Sequence, residues 1–249
     1  MKRYFYFLAF IILLSSCTKM GEEKGDVNLT FYLQYKGQPL VMFDTFVYPV
    51  TNQNISFTKF ACYLSEIALV KNNGEILNLK DIDYVDLTNA HSKENAVNGF
   101  TYSLKDVAVG DYKNVQFAIG VPVAQNAKEP KDFSSNHVLS NTANFWTSWK
   151  SYIFSRTEGK IDFDANGTLE DAFTLHVGGD EAYTNISLSK SFSVLNEKTT
   201  DIGIVIDMEK YFNGKTLYDI VTTPAIHSLE HKPAIQVLKE NLKTAIFLK

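Results

Sequence analysis

An apolar residue recurs at every second position in several stretches of this chain, and this spacing restricts the possible folds more than any other feature. The clearest stretches are residues 29–35, 115–121 and 202–206. Successive side chains of a β-strand point to opposite faces, so this period is typical of strands with one buried face. The strands do not alternate with helices, as they would in an α/β fold. The sequence therefore predicts an all-β, antiparallel β-sandwich with a few short helices.

The stretch around residues 60–69 changes its parity. The apolar residues before and after the change are Phe60, Cys62 and Leu64, then Ile67 and Leu69. A change of parity predicts a β-bulge or a bend within one long strand. Asn72-Asn73-Gly74 then predicts a hairpin turn into a strand at residues 75–79, and Gly110-Asp111 separates another pair of strands.

Helix signals are few. Asp207 is a suitable N-cap for a short helix that ends before Gly214. The clearer signal is at the C-terminus, where Pro233 suits a first helical turn. One apolar stripe follows it, consisting of Ile235, Leu238, Leu242 and Ile246. The sequence therefore predicts a C-terminal amphipathic helix.

The N-terminus resembles an export signal. Two basic residues precede an apolar run at residues 4–14, which is shorter than the about 20 residues that span a bilayer. Ser15, Ser16 and Cys17 follow, in the pattern of a bacterial lipobox. We predict a lipoprotein signal peptide at residues 1–16, a lipidated Cys17 with a tether at residues 17–25, and one domain at residues 26–249. The alternative is a cleaved, soluble export signal with a chance cysteine.

Composition supports a globular domain and excludes some functions. The 249 residues include 24 basic and 28 acidic side chains, a net charge of −4, and 45% are hydrophobic. A nucleic-acid-binding protein should instead show a basic stripe, so we expect no nucleic-acid partner. Cys62 is the one cysteine left after Cys17. It lies in an apolar stretch, which favours a small buried hydrophobic residue over a ligand.

Common enzyme signatures are missing from the sequence: there is no G-x-S-x-G, P-loop, H-E-x-x-H or C-x-x-C. Residues 227–231 spell H-x-x-E-H, the inverted zinc-peptidase motif, which needs both histidines on one helical face. Pro224 and Pro233 leave room for about two helical turns, so this reading is remote. Metal binding by His227 or His231 individually stays open, beside a polar helix end with no ligand role.

Residues 162–167 match the opening of a calcium loop. Oxygen-bearing side chains stand at positions 1, 3 and 5 and a glycine at position 6. Position 12 should be a bidentate Glu, but Phe173 stands there, and no flanking helices are evident. We therefore predict a surface turn between two strands.

Both tryptophans, Trp146 and Trp149, lie in one aromatic stretch, with His137 before it and His176 after it. Aromatic clusters are usually part of a hydrophobic core. Two histidines near tryptophans also fit a soft-metal site, since imidazole suits copper.

Five segments in order resemble the MbnP-like family of secreted copper-binding proteins, which are common as lipoproteins in Bacteroidota. The segments are residues 60–74, 110–121, 151–159, 173–180 and 227–247, so the similarity extends over the whole mature chain. The spacing from Trp146 to Tyr152 follows the family's W-x-W-x-x-G-Y pattern. Ser148 and Ser151 replace its second Trp and its Gly.

This resemblance implies a β-sandwich that binds copper. In characterised relatives, one tryptophan is oxidised to kynurenine and joins two histidines around the metal. The resemblance therefore also implies a dihaem cytochrome partner that performs the oxidation. The resemblance carries the tryptophan over to Trp146. It makes His176 the first candidate ligand, His137 the second and His227 a further one.

Three hypotheses follow. The first is a copper-binding protein, not an enzyme, that is lipid-anchored in the bacterial cell envelope. The second is a structural or accessory envelope lipoprotein with the same fold and no metal, which predicts tightly packed tryptophans and histidines that lie far apart. The third hypothesis, which the sequence favours least, is a zinc hydrolase that uses His227 and His231.

Overall fold

A computed structural model of the protein describes residues 22–49 and 51–249. The predicted signal peptide at residues 1–16 and the predicted lipid attachment at Cys17 lie outside these residues. Within the described ranges, no helix is both long enough and apolar enough to cross a bilayer.

Strands make up most of the regular structure in the described residues. They are β1 (Lys24–Tyr35), β2 (Gln38–Pro39), β3 (Thr45–Val47), β4 (Asn54–Lys71), β5 (Ile76–Asp86), β6 (Phe100–Ala108), β7 (Gly110–Ile119), β8 (Phe145–Trp146), β9 (Ser151–Ile161), β10 (Asp171–Gly178), β11 (Thr184–Val194), β12 (Thr199–Asp207), β13 (Ala225–Ile226) and β14 (Ile246–Leu248). The α-helices are α1 (Val123–Asn126), α2 (Met208–Phe212) and α3 (Lys232–Ala245).

These strands form two sheets that face each other. The first sheet has the order β14-β12-β1-β2, and β6 also pairs with β1. The second has the order β11-β7-β4-β9-β10-β13, with β3 and β5 paired to β4 and β8 paired to β9. Phe31 of β1 meets Phe117 of β7 edge-on, with ring centroids 5.8 Å apart, so the core lies between the sheets. The predicted all-β sandwich is confirmed.

The core consists largely of the residues that alternate in the sequence. On two neighbouring strands of the first sheet, the following side chains are at most 1% exposed: Val27, Leu29, Phe31, Leu33, Ile202, Ile204 and Ile206. Full burial of one such side chain stabilises the fold by about 1.5–3 kcal/mol. The apolar residues of the period-two pattern thus form the inner face of the sheet.

Two strand pairs depart from the predicted antiparallel arrangement. Strand β1 pairs with β12 in parallel, with Asp26 opposite Thr199, and β10 pairs in parallel with β13. Antiparallel pairs can be closed by tight hairpins, whereas these partners are joined by long connections that permit the parallel direction. Strand β1 also begins at Lys24, because Lys24 and Gly25 pair with β6. The last two residues of the predicted tether at residues 17–25 therefore belong to the first sheet.

Local sequence signals locate the turns of the second sheet. The change of parity in β4 coincides with a register shift between Ser65 and Ala68, where Glu66 adopts φ of 52°. The predicted bulge is confirmed. The turn at residues 72–74 connects β4 to β5, also as predicted.

The predicted helices are present, with one difference at the C-terminus. Asp207 caps α2 by accepting hydrogen bonds from two amides of the first turn. Pro233 lies in the first turn of α3, and the predicted stripe of Ile235, Leu238 and Leu242 is buried. Ile246 belongs instead to β14, because residues 246–248 pair with the edge of β12. The helix therefore ends at Ala245.

Residues 122–150 cover part of the opposite face of the second sheet. Tyr63 follows the core residue Cys62 in β4, so its side chain points to the other face. Its ring lies 5.0 Å from that of Tyr84 and 6.0 Å from that of Tyr152. Leu139 is fully buried, and its carbonyl accepts a hydrogen bond from the Tyr152 hydroxyl. This small cluster fixes the covering segment that ends in the two tryptophans.

Asn126 fixes the start of the covering segment. Its Oδ1 accepts hydrogen bonds from the Tyr152 amide (2.9 Å) and the Ser151 hydroxyl (3.1 Å), and its Nδ2 donates to Asp180 Oδ1 (2.8 Å). We expect Asn126→Ala to lower the free energy of unfolding by about 2–3 kcal/mol, because buried partners lose their bonds. Urea unfolding followed by tryptophan fluorescence measures this. Asn136→Ala, at an exposed site, should change stability by less than about 0.5 kcal/mol, and an equal loss in both variants would contradict the prediction.

Candidate functional site

Two histidines become neighbours because their strands lie side by side. In the parallel pair of β10 and β13, Leu175 lies opposite Ile226. The next residues are His176 and His227, and their ring centroids are 5.0 Å apart. Matching positions on adjacent strands point to one face, about 5 Å apart, which explains the contact. His176 is only 9% exposed, whereas His227 is exposed.

Trp146 completes a group of three rings, which we call the Trp–His cluster (Trp146, His176 and His227). The indole centroid lies 5.5 Å from that of His176 and 5.2 Å from that of His227, with interplanar angles of 71° and 70°. Trp146 is the last residue of β8 and pairs with Ser151 at the start of β9. The short β8 strand thus brings the indole to the edge of the two imidazoles.

Trp149 connects two members of the Trp–His cluster. It is buried, and its ring centroid lies 4.3 Å from that of Trp146. Its Nε1 donates a hydrogen bond to the backbone oxygen of His227 at 3.0 Å. Gly178 leaves space for this ring, since a Cβ at that position would lie 3.2 Å from it. Trp149 therefore fixes the main chain of His227 relative to Trp146.

Each histidine of the cluster has one ring nitrogen in a hydrogen bond. His176 Nε2 lies 2.8 Å from Glu158 Oε1, and His227 Nε2 lies 2.7 Å from Thr174 Oγ1. The second nitrogen of His176, Nδ1, is buried and has no hydrogen-bond partner among the described residues. A buried polar atom without a partner costs free energy, so this nitrogen has the capacity to bind a ligand.

Glu158 is a half-buried carboxylate within the site. The hydrogen bond from His176 holds the pKa of Glu158 below its usual value, although burial opposes this. Arg156 Nη1 lies 3.7 Å from Glu158 Oε1, and Arg156 Nη2 donates to the carbonyl of Ala143, three residues before Trp146. The same pair of charged residues therefore contacts both the histidine strand and the tryptophan segment.

The pKa of His227 is lowered from its ordinary value. Although the residue is largely exposed, desolvation of its ring is the largest cause, and the nearby imidazoles of His176 and His231 add to it, whereas Glu158 acts in the opposite direction. A neutral imidazole has a lone pair that can coordinate a metal, so this environment favours the form that binds metals.

The structure places His137, the second candidate ligand, elsewhere. Its ring stacks on Phe133 with centroids 4.7 Å apart, and its Nδ1 accepts a hydrogen bond from the Leu139 amide. Within the described part of the chain, its ring makes no aromatic contact or hydrogen bond with the Trp–His cluster. We therefore do not include His137 in the site.

The H-x-x-E-H segment does not form the helix that a zinc peptidase requires. His227 follows β13 outside any helix, whereas His231 ends a short 3-10 segment, Leu229–His231. The calcium-like segment forms the turn between β9 and β10, as predicted. In residues 22–49 and 51–249, no group of three or more His, Cys, Asp or Glu side chains is arranged to hold a metal ion. Among His, Cys, Asp and Glu side chains, a metal at the cluster would therefore have only the two imidazoles as ligands.

Sequence reasoning missed the residues that support the cluster, namely Glu158, Thr174 and Trp149. A signal for two of them existed in the turn at residues 162–170. A hairpin closed by this turn pairs Glu158 with Thr174 and places His176 diagonally across from Glu158 on the same face. The contact of Trp149 with His227 had no such signal, because it joins residues 78 positions apart.

Comparison with known proteins gives two matches. A protein-family model described as MbnP matches residues 24–228. The solved structure of MbnP from Methylosinus trichosporium is similar, with a TM-score of 0.52 and 11% sequence identity, covering 77% of this chain and 78% of that one. No curated protein matches the chain. At this identity the structural likeness concerns the fold alone.

Proposed function

Because the chain belongs to the MbnP family, we propose that it is a copper-binding protein that acts outside the cytoplasm from a lipid anchor and catalyses no reaction. The observation that supports copper is the Trp–His cluster, in which two imidazoles and an indole meet. One buried imidazole nitrogen of this cluster has no hydrogen-bond partner in the part of the chain that the structure describes. The lipobox pattern that ends at Cys17 supports the anchor in the bacterial cell envelope.

The donor set fits copper better than other common metals. Structural zinc sites use four ligands, and calcium and magnesium sites use oxygen ligands, whereas the cluster offers two imidazoles beside aromatic rings. Imidazole suits copper, and two imidazoles fall short of the four ligands of a structural zinc site. Cys62 is buried, and burial raises the pKa of its thiol to about 12, which disfavours the thiolate form that binds metals.

A Cu(I) titration against a competing chromophoric chelator tests the proposal. The protein carries Cys17→Ser, so that neither lipid nor the N-terminal thiol interferes. We expect stoichiometric binding, and His176→Ala or His227→Ala should weaken it by at least about 100-fold, or about 2.7 kcal/mol, because each removes an imidazole ligand.

His137→Ala is the matched control for this titration and should leave Cu(I) affinity unchanged, since His137 lies outside the cluster. Unchanged affinity in His176→Ala would refute the ligand assignment. Absence of binding in every variant would favour the accessory role described below.

We further propose Trp146 as the residue that a dihaem cytochrome partner oxidises to kynurenine. In this reaction a peroxide, used together with the haem partner, is the oxidant: the indole C2–C3 bond breaks, one oxygen atom is added to each of the two carbons, and two peroxides are reduced to water. Water then hydrolyses the resulting N-formyl group, which leaves as formate and gives kynurenine. The half-buried position of Trp146 at the cluster, beside the more buried Trp149, supports this choice. Peptide mass mapping of protein from the native host tests it, with Trp149 as the internal control.

The second candidate function is a structural or accessory envelope lipoprotein with no metal. It expects tightly packed tryptophans and dispersed histidines. Buried Trp149 and the separate position of His137 agree with this expectation. The 5.0 Å distance between the rings of His176 and His227 does not, and for this reason we place copper binding first.

A further inference from the structure

We propose that Glu158 is a positioning residue that fixes His176 as its Nε2–H tautomer, so that Nδ1 is the nitrogen that His176 offers to the metal. This inference rests on the proposed copper binding, because it concerns the same cluster. It also makes a statement about the metal-free protein, namely which nitrogen of His176 carries the proton. That statement can be tested without any metal.

The first step concerns the proton on Nε2. An ionised carboxylate can only accept hydrogen bonds, whereas an imidazole nitrogen donates or accepts according to its tautomer. Glu158 Oε1 lies 2.8 Å from His176 Nε2, with the Arg156 guanidinium 3.7 Å from the same oxygen. The positive charge of this guanidinium favours the ionised form of the Glu158 carboxylate, which can only accept. His176 Nε2 must therefore be the donor.

The second step concerns Nδ1. This nitrogen is buried, and within residues 22–49 and 51–249 no acceptor lies within hydrogen-bond distance of it. A proton there would create a buried donor without a partner, which is costly. The neutral ring with its proton on Nε2 avoids this cost and leaves the Nδ1 lone pair free. The ring that carries this lone pair contacts both Trp146 and His227.

The two histidines of the cluster differ in this respect. His227 Nε2 faces the hydroxyl of Thr174 at 2.7 Å, and a hydroxyl can donate or accept. Thr174 therefore does not fix the tautomer of His227, which is also exposed. The tautomer of His176 is thus fixed before a metal binds, whereas the tautomer of His227 can change when a metal binds. Carboxylates that accept a hydrogen bond from a metal-binding histidine orient its ring and increase its basicity.

Long-range ¹H–¹⁵N correlation spectra of ¹⁵N-histidine-labelled protein test the tautomer. The sample is the whole chain with Cys17→Ser, first without metal. We expect a protonated Nε2 and an unprotonated Nδ1 for His176. A protonated Nδ1 in this spectrum would overturn the proposal, and the measurement needs no variant at Glu158 that could fail to fold.

Addition of Cu(I) to the same sample identifies the ligand atom. We expect the resonance of His176 Nδ1 to shift, with Nε2 still protonated. A shift at Nε2 instead would overturn this inference while copper binding stands. No shift at any histidine nitrogen would overturn copper binding itself, and the assignment of the ligand atom with it.

Variants separate positioning from a merely structural role. Glu158→Ala should give a mixture of His176 tautomers and weaken Cu(I) binding by 10–100-fold. Glu158→Gln keeps an acceptor oxygen, so it should retain part of the preference for the Nε2–H tautomer and part of the Cu(I) affinity. Thr174→Val is the matched control, because it removes the hydroxyl beside His227 and should leave the His176 tautomer unchanged. An unchanged tautomer in Glu158→Ala would show that Glu158 does not set it.

Discussion

Replacement of Gly159 by alanine is expected to lower the free energy of unfolding by about 4 kcal/mol or to prevent folding. Gly159 lies in β9, between Phe57 of β4 and Phe173 of β10. A Cβ at this position would clash with the carbonyl oxygen of Ser56 and with the ring of Phe173. Phe173 is fully buried against Phe57 and Phe212 and cannot move aside. The added methyl group must therefore separate the strands.

Urea unfolding, followed by circular dichroism and tryptophan fluorescence, measures this loss. Gly167→Ala is the matched control, because nothing lies within 4 Å of a Cβ at that position. Its positive φ of 93° should cost only about 1 kcal/mol. If Gly159→Ala were no more destabilising than Gly167→Ala, the prediction that the strands at Gly159 are too close to accept a methyl group would be wrong. Glu158 is adjacent, so the same substitution should also disturb the Trp–His cluster.

The second large effect concerns His91, which is fully buried outside the candidate site. Its Nε2 accepts a hydrogen bond from the Leu33 amide of β1, and its Nδ1 donates to the carbonyl of Leu87, both at 2.8 Å. We expect His91→Leu to lower the free energy of unfolding by about 3–4 kcal/mol. Leucine can neither donate nor accept, and each buried group left without a partner costs about 1–3 kcal/mol.

His91 should also make stability depend on pH. Burial lowers the pKa of His91 below its ordinary value of 6.5. A group whose pKa is depressed on folding contributes stability above its unfolded pKa and loses that contribution as the pH falls. Stability should therefore decrease below about pH 6.5, by at most about 1.4 kcal/mol per pH unit from this residue.

Unfolding curves between pH 7 and pH 5 measure the dependence. His91→Leu lacks the titrating group, so its stability should fall less steeply with pH than that of the parent protein. The lowered pKa of His227 acts in the same direction in both proteins and does not contribute to the difference. Parallel slopes would show that His91 does not titrate in this range on unfolding.

The sequence by itself determined the strands and most of the turns. The alternation at Leu29, Phe31 and Leu33 defines a buried face within one strand, and side-chain direction along a strand is a local property. The bulge near Glu66 and the N-cap at Asp207 are local too, since each depends on a few consecutive residues. Such features follow from backbone geometry and need no knowledge of distant partners.

The tertiary structure decided which residues form the site. The sequence and the family resemblance named Trp146, His176 and His227, but also His137, which packs on Phe133 instead. The outcome depends on the parallel pairing of β10 with β13, which no local signal specifies.

The partners of the cluster were decided in the same way. Glu158 reaches His176 through the register of the β9–β10 hairpin, and Trp149 reaches the backbone of His227 across 78 residues of chain. Strand register and packing between distant segments are set by the sum of many burial contacts over the whole domain. A short stretch of sequence therefore indicates which side chains can bind a metal, whereas only the assembled sheets bring them within reach of one another.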